Sequence, residues 1–382
     1  MQANFVGEQA DAWLAARSSD SITILAPHHP GALREESRGR LRIRRFRYFR
    51  PEGWQKLAYP AILPNIKANP MLLAQVPAYL VAEYLAASQE VRAGGYDLIY
   101  AHWVMPQGLV AWRLHRAFGI PYVLQHHSSD LAVFRKLGGP GETLARNVLR
   151  DAAHFFCVNA DQRELALSFF DGSERDRFAE RCTVLPMGMV PPATKAASGD
   201  AKYDVATIGR LSRKKGINFL IGAAEALAAE GIRPTVGIAG DGEDRAQLEC
   251  LVVNADVTFA GFLDGPRKDR FFDQSSRFAF PAKASGGDVE GLPVTLLEVL
   301  CRGLPALASR DTNIELLPEW PALKECVVFI DDPEDPAKMA AALKELLGID
   351  PVKARRAAQI AGRYRWDRLI EEYLGPIEAT LR

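Results

Sequence analysis

The chain has 382 residues, 48% hydrophobic and 25% charged, and its forty-seven basic residues balance forty-seven acidic ones. Single hydrophobic cores stop growing beyond about 250 to 300 residues, so two domains are expected, and the absence of net charge removes any global reason to expect nucleic acid. Its five cysteines (Cys157, Cys182, Cys250, Cys301 and Cys326) show no C-x-x-C or Cys/His ligand spacing, which predicts a reduced, cytoplasmic protein with no metal centre built from them.

The chain opens on a helical pattern, Phe5 to Ala16, with neither a basic leader nor a strand before it. In a doubly wound sheet the first strand is normally central, so a first strand and its glycine-rich turn are read as missing, with the true start upstream. Short β-branched and aromatic runs then alternate with helical patterns, the signature of parallel βαβ construction. Strands are predicted at Ile22 to Ala26, Leu41 to Tyr48, Leu98 to His102, Tyr122 to His126, Phe155 to Val158 and Thr183 to Leu185. Helices are predicted near Gln107 to Phe118, Glu142 to Ala152 and Gln162 to Phe170. Met71 to Ala87 is apolar but interrupted by Gln75, Pro77 and Glu83, and reads as a core or interfacial helix rather than a membrane span. After Met187 a Pro/Gly/Ser-containing stretch, Val190 to Lys202, reads as a linker. Strands resume at Asp204 to Ile208, Thr235 to Ala239, Val257 to Ala260, Phe278 to Pro281, Ala306 to Ala308 and Val327 to Ile330. The fold class expected is α/β, two doubly wound domains in series: residues 1–190, residues 191–365, and a final helix, 366–382, that crosses back to the first domain.

Several segments carry candidate chemistry. Arg40 to Pro60 places Arg40, Arg42, Arg44, Arg45, Arg47 and Arg50 among aromatic and apolar residues. One charged strand face followed by a Pro-rich loop suits an anionic membrane or a phosphorylated acceptor, and equally a solvated edge strand. No RNA-binding motif accompanies the charge. AHWVMPQG (Ala101 to Gly108) and QHHSSD (Gln125 to Asp130) each follow a strand end, where a histidine can reach a sugar hydroxyl or a developing charge. His127, followed by Asp130, is the favoured residue; His102 and His126 stand behind it, and His28, His29, His115 and His154 read as structural.

In the second half, IGRLSRKKG (Ile208 to Gly216) sets Arg210 and Lys215 at the carboxyl edge of a strand, where open α/β sheets bind ligands and two cations would neutralise a diphosphate. Arg213 and Lys214 read as surface. AGDGEDR (Ala239 to Arg245) and AGFLDG (Ala260 to Gly265) are glycine turns on the same edge, with Phe262 near a nucleotide base. In EGLPVTLLE, Glu290 to Glu298, Pro293 is expected in the first helical turn. The backbone N–H groups of Gly291, Leu292 and the residues around Pro293 face an anion at the positive helix end. Glu298 would lie a turn and a half into the helix and Glu290 in the loop before it, one reaching a ribose diol and the other a sugar hydroxyl. Taken singly, either glutamate also reads as an ordinary solvated residue. A glycosidase acid/base pair would instead need the two to face each other across a bond.

Together these residues resemble glycosyltransferase family 4, retaining enzymes of the GT-B fold. The resemblance rests on GRLSRKKG, AGDGED, FAGFLDG, the E-x7-E element from Glu290 to Glu298, and HSSD where the family often has H-G-x-D. SGGDVEGLPVTLLEVL and RYFRPEGWQKLAYP are similar to bacterial exopolysaccharide and colanic-acid-type members. The resemblance implies that Arg210 and Lys215 contact the donor diphosphate, Glu298 the ribose, Glu290 the transferred sugar, and His127 that sugar from the first domain. It implies no metal and no cofactor beyond a nucleotide-sugar substrate, a glycan or lipid-linked acceptor, and front-face attack assisted by the leaving phosphate. The chain departs from the pattern at Ser128, where glycine is usual, at Val190, where aspartate often stands, and in the missing first strand. A nucleotide-sugar epimerase and a catalytically silent binding protein are the competing readings.

Overall fold

The computed structural model describes residues 4–59, 61–127, 130–190, 201–285 and 290–381. Ser128, Pro60 and most of the linker read at Val190 to Lys202 therefore lie outside the described residues. The chain divides into two compact units, one of residues 1–157, 161–185 and 370–382, the other of residues 158–160 and 186–369.

Among the described residues the first unit carries seven strands: β1 (Ile22–Pro27), β2 (Glu35–Arg38), β3 (Leu41–Phe46), β4 (Ile99–His102), β5 (Tyr122–His126), β6 (His154–Cys157) and β7 (Cys182–Val184). They do not form one sheet. Strands β4-β5-β6-β7 make a parallel sheet, while β1 pairs β3 in parallel and β2 pairs β3 antiparallel in a separate one. Strand β2, a charged run EESR, was not foreseen because it lacks the apolar alternation by which strands are recognised. The Asn4–Ala16 helix touches both sheets: Ala10 and Leu14 pack with Leu41, Ile22 and Ile43, while Gln9 donates to the Tyr100 hydroxyl at 3.1 Å.

The main core of this unit is apolar and aromatic. Val123 and Leu124 of β5 are completely buried, as are Phe155 and Phe156 of β6, as expected of parallel strands covered on both faces. The Trp366–Leu381 helix returns to this unit from Ile370 onward. There the Tyr373 ring meets Phe156 at 4.9 Å and its hydroxyl donates to the Leu185 carbonyl at 3.0 Å.

The second unit is a single parallel sheet of β8 (Val205–Ile208), β9 (Val236–Ala239), β10 (Val257–Gly261), β11 (Phe278–Phe280), β12 (Ala306–Ser309) and β13 (Val327–Ile330). Their spatial order is β10-β9-β8-β11-β12-β13. The chain thus winds outward in one direction from β8 and then in the other from β11. That reversal creates a switch point, and ligands of open α/β sheets bind outside the carboxyl ends of the strands that flank it. The loops leaving β8 and β11 are those that hold the Arg210–Lys215 and Glu290–Glu298 segments.

Candidate functional site

In the second unit the carboxyl edge is built by close backbone approach. Gly209 N–H donates to the Ala239 carbonyl at 3.0 Å, Leu211 N–H to the Asp241 carbonyl at 3.0 Å, and Gly240 N–H to the Gly261 carbonyl at 2.8 Å. The loops after β8, β9 and β10 are therefore laced into one shelf. A short helical turn, Arg213–Lys215, ends at Gly216, whose φ of 65° lets the chain turn directly into the Ile217–Ala229 helix. This turn aims Lys215 back across Gly209: a Cβ at that glycine would lie 3.6 Å from Lys215 Cε.

Lys215 Nζ lies 3.0 Å from Glu290 Oε1, and Lys214 Nζ lies 3.5 Å from the same oxygen. Lys214, expected at the surface, is thus the second partner of Glu290; only Arg213 remains exposed. Burial pushes the Glu290 carboxyl upward, but the charges of Lys215 and Lys214 outweigh it and hold the group below the usual carboxylate range. The loop carrying Glu290 is pinned from outside, because the Asn313 side chain donates to the carbonyls of Glu290 at 2.7 Å and Gly291 at 2.9 Å. Asn313 sits in a left-handed turn with φ 59°; from sequence it was one asparagine among many.

The Val294–Cys301 helix begins one residue later than the turn chemistry suggests. Pro293 is its N-cap, in extended backbone, rather than part of the first turn. A proline satisfies that position equally, since it has no N–H to leave unpaired. The N–H groups of Val294 and Thr295, the first of the helix, have no acceptor within it. Lys215 and Pro293 border a common cavity of about 10 Å³ with Gly209, Phe280 and Ala282, room for about one water. It marks where the groups converge.

Arg210 is not beside Glu290. Its guanidinium binds Glu243 Oε2, with Nε at 3.0 Å, so Glu243 of the AGDGED turn holds it at the rim. Glu298 is buried within the helix and engages a different pair of cations, Lys268 Nζ at 2.7 Å and an Arg302 guanidinium nitrogen at 3.2 Å. Arg302 is itself braced by Asp269 and by the Phe272 ring, 4.4 Å below its guanidinium. Lys268 had no sequence signal, because only the fold carries its Gly265–Asp273 helix next to Glu298. Phe262, at the end of β10, is 42% exposed.

In the first unit the strand ends assemble a histidine pair. His102 Nδ1 and His127 Nε2 are 3.1 Å apart, with the rings stacked at 14° and 5.4 Å between centroids. Phe5 and Trp103 each meet the His127 ring at 4.9 Å. Asp130 pairs with His126: Nδ1 of that buried ring lies 2.6 Å from Asp130 Oδ1, and Asp130 Oδ2 accepts the Val104 N–H at 2.6 Å. The reason is the two-residue alternation of the strand, which sends adjacent side chains to opposite faces.

Burial lowers the His127 ring to about 3, with Asp130 raising it and His126 lowering it further; His102 is lowered by burial and by His127. Both rings are therefore neutral at pH 7, one donating to the other, and His127 is suited to hydrogen bonding rather than to carrying charge. Because unfolded histidine titrates near 6.5, the unfolded chain takes up protons between about 6.5 and 3 while His127 does not. Stability is then complete above that window and falls as pH drops through it, by up to about 1.4 kcal/mol per pH unit for each such ring. The urea midpoint is expected to decline between pH 7 and pH 5, and His127→Gln to flatten that decline. An equal decline in the variant would contradict the assignment.

Residues 3–188 match the family described as Glycosyl transferase 4-like domain, and residues 194–364 match Glycosyl transferases group 1. Among curated relatives, the amylovoran biosynthesis glycosyltransferase AmsK of Erwinia amylovora is 32% identical over 149 residues, 37% of each chain. The putative teichuronic acid biosynthesis glycosyltransferase TuaC of Bacillus subtilis is 25% identical over 276 residues, 68% of this chain and 65% of that one. The matched region thus spans 37% to 65% of the length of these relatives. Among solved structures, sucrose-phosphate synthase from Thermosynechococcus elongatus superposes with a TM-score of 0.72 at 18% identity, covering 99% of this chain and 92% of that one. An E. coli structure described as trehalose-6-phosphate bound with UDP-2-fluoro glucose gives 0.74 at 14% identity, covering 100% and 96%. The chain therefore joins a glycosyl transferase 4-like domain to a group 1 glycosyl transferase domain, each a Rossmann-like unit, on the GT-B pattern.

Proposed function

We propose that the chain is a retaining, nucleotide-sugar-dependent hexosyltransferase that acts at the cytoplasmic face of the membrane in cell-surface polysaccharide synthesis, on a glycan or lipid-linked acceptor. The observation that carries the reading is the Lys215–Glu290 pair at the switch point of the second unit, beside the start of the Val294–Cys301 helix. A diphosphate placed there meets the helix N–H groups and Lys215, and Arg210 closes from the rim on releasing Glu243. Those cations supply the charge that a resident metal would otherwise supply, so none is invoked. Glu290, freed from Lys215 as the lysine turns to phosphate, accepts hydrogen bonds from the transferred sugar. Glu298 serves the ribose through lone pairs left by Lys268 and Arg302, and Phe262 offers an apolar face to the base.

In the transfer, the bond from the sugar's anomeric carbon to the diphosphate oxygen breaks as the acceptor oxygen attacks from the same face. The acceptor proton passes to the departing phosphate oxygen, so no protein nucleophile is required. His127, neutral and hydrogen-bonded to His102, is suited within its own unit to hydrogen-bond a sugar hydroxyl rather than to carry charge.

Contact with an anionic membrane through Arg40 to Pro60 belongs to the same reading, and ion pairs narrow it. Arg42 pairs with Glu35 at 2.7 Å and Glu90 at 2.9 Å, while Arg44 and Arg45 pair with Glu90 and Glu36. Arg40 donates to the carbonyls of Arg17 and Asp20. The cations left for lipid are those past the strand. Thermal-shift measurement against UDP-, GDP- and ADP-sugars tests the reading. One donor class is expected to raise the melting temperature, because a ligand bound only by the folded state stabilises it, and the product formed with that donor is expected to keep the donor's anomeric configuration. No response to any nucleotide sugar, or an inverted product, would overturn it.

A further inference from the structure

Of the fifteen large apolar side chains exposed among the described residues, seven fall between Trp54 and Leu85. That stretch contains the Ile62–Ala68 helix, the turn Pro70–Gln75 and the Val76–Ala93 helix. Their inner sides make a small aromatic core, in which Tyr79 meets Phe46 at 5.4 Å and Tyr48 at 5.2 Å, with Leu57 and Leu72 beside them. Their outer sides are apolar as well. Met71 is 83% exposed, Trp54 61%, Leu73 60%, Val81 57% and Leu85 54%.

Along the Val76–Ala93 helix the exposed positions are Pro77, Val81, Leu85, Gln89, Arg92 and Ala93, apolar as far as Leu85 and polar only beyond it, and exposed Ala74 continues the apolar row back into the preceding turn. That is the row in which a water-facing helix carries its charges. The stretch Pro70–Ala93 is long and apolar enough to cross a membrane, yet it lies on this unit with only a third of it buried. The Trp54 turn belongs to the same surface, because its carbonyl accepts from the Gln75 side chain at 2.8 Å.

Charge settles what covers the surface. From Arg47 to Ala82 the basic residues are Arg47, Arg50, Lys56 and Lys67, and the one acidic residue is Glu52, which is held by His28 and Arg47. Arg50, Lys56 and Lys67 are exposed and have no acidic partner among the described residues. Exposed apolar side chains bordered by unpaired cations, with a tryptophan at the margin, match the two halves of a phospholipid surface: acyl chains and anionic headgroups. Large exposed apolar side chains concentrated on one short stretch mark an interaction surface rather than ordinary surface.

We infer that residues 54–59 and 61–85 form a monotopic membrane-insertion surface, in which Trp54, Leu63, Met71, Leu73, Val81 and Leu85 enter the headgroup–acyl boundary of an anionic bilayer while Arg50, Lys56 and Lys67 hold phosphate groups. The contact thereby moves from the arginine strand to the apolar helices after it. The inference rests on the proposed function for its use, a membrane-side acceptor, but the binding itself needs neither donor nor acceptor.

The test is co-sedimentation of the full chain with vesicles of phosphatidylglycerol and phosphatidylcholine in equal parts, and with phosphatidylcholine alone. The wild type is expected to sediment with the mixed vesicles, and Val81→Gln/Leu85→Gln and Met71→Ser/Leu73→Ser to lose about tenfold or more in partitioning. Lys56→Gln/Lys67→Gln would lose about tenfold at low salt. Val253→Ser, a 77% exposed apolar site in the other unit, is expected to leave partitioning unchanged. Nucleotide-sugar thermal shifts should be the same in all variants, so failure of vesicle binding and failure of the donor reading are told apart. Three results would overturn the inference: no vesicle binding by the wild type, binding indifferent to the apolar substitutions, or a self-association that those substitutions dissolve, which would make a second copy the cover.

Discussion

Lys215→Ala is expected to lower kcat/KM for sugar transfer by about a hundredfold to a thousandfold, the usual loss when one charge-stabilising donor leaves a preorganised site. Among the described residues the variant leaves Glu290 only Lys214, at 3.5 Å; breaking a fully buried pair costs about 3–5 kcal/mol, and less is expected here because Lys214 remains and Lys215 is partly exposed. The two effects are separable. In Lys215→Ala/Glu290→Gln no charge is stranded, so stability should recover while transfer does not. Lys214→Ala, which removes the longer contact, should cost less on both counts. A kcat/KM for Lys215→Ala within a few-fold of wild type would remove the lysine from the diphosphate site.

The same pair gives an acid limb. Glu290 has a folded-state pKa below its ordinary value, so its contribution to stability is present above the unfolded carboxylate range and is lost as pH falls through the folded value. The histidine pair acts at higher pH, toward 6.5, so the two units are expected to lose stability in different parts of an acid titration.

The second large effect concerns a residue that touches no ligand. Gly240→Ala is expected to destabilise the second unit by about 3 kcal/mol or more and to abolish the nucleotide-sugar thermal shift. Gly240 has φ 135°, and a Cβ there would lie 1.8 Å from the Gly209 carbonyl oxygen. The loop after β8, which carries Arg210, would have to move away from the loop after β9, which carries Glu243. Gly222→Ala is the matched control: this glycine lies within the Ile217–Ala229 helix with nothing near its absent Cβ, so alanine should be neutral or stabilising by up to about 1 kcal/mol. A melting temperature for Gly240→Ala near that of Gly222→Ala would show that the close approach of the two loops is not what shapes the site.

The second unit was largely legible in the sequence. Its strands are short, mostly apolar runs, all but the last ending in or abutting glycine or proline, and parallel strands buried on both faces leave that record. The 3-2-1-4-5-6 winding then follows from βαβ handedness and singles out the loops after β8 and β11. What the sequence could not show were contacts between residues distant along the chain: Asn313 on the Glu290 loop, Glu243 on Arg210, and Lys268 on Glu298. These are ordinary polar residues whose significance arises from placement. Lys214 was misread because a run of three cations is usually solvated, and here the turn into Gly216 folds two of them inward.

The first unit was harder to read. Its strand-end histidines were singled out but not their pairing: Asp130 meets His126, while His127 meets His102, twenty-five residues earlier. Sequence proximity does not select the partner where strand alternation decides. The two-sheet arrangement and β2 also escaped, since a charged edge strand such as Glu35–Arg38 carries no apolar period. The apolar stretch from Met71 was read as a core or interfacial helix, and the structure sets one face of it on the Tyr79 core and leaves the other exposed.

The nucleotide-sugar site proposed above is formed by the Glu290 loop and the Arg210 shelf together. Calorimetric titration of the best donor from the nucleotide-sugar panel against wild type, Glu290→Ala and Arg210→Ala tests this most directly. Both variants are predicted to bind at least about tenfold more weakly, the loss of roughly one charged hydrogen bond each. Dissociation constants unchanged from wild type in both would contradict it.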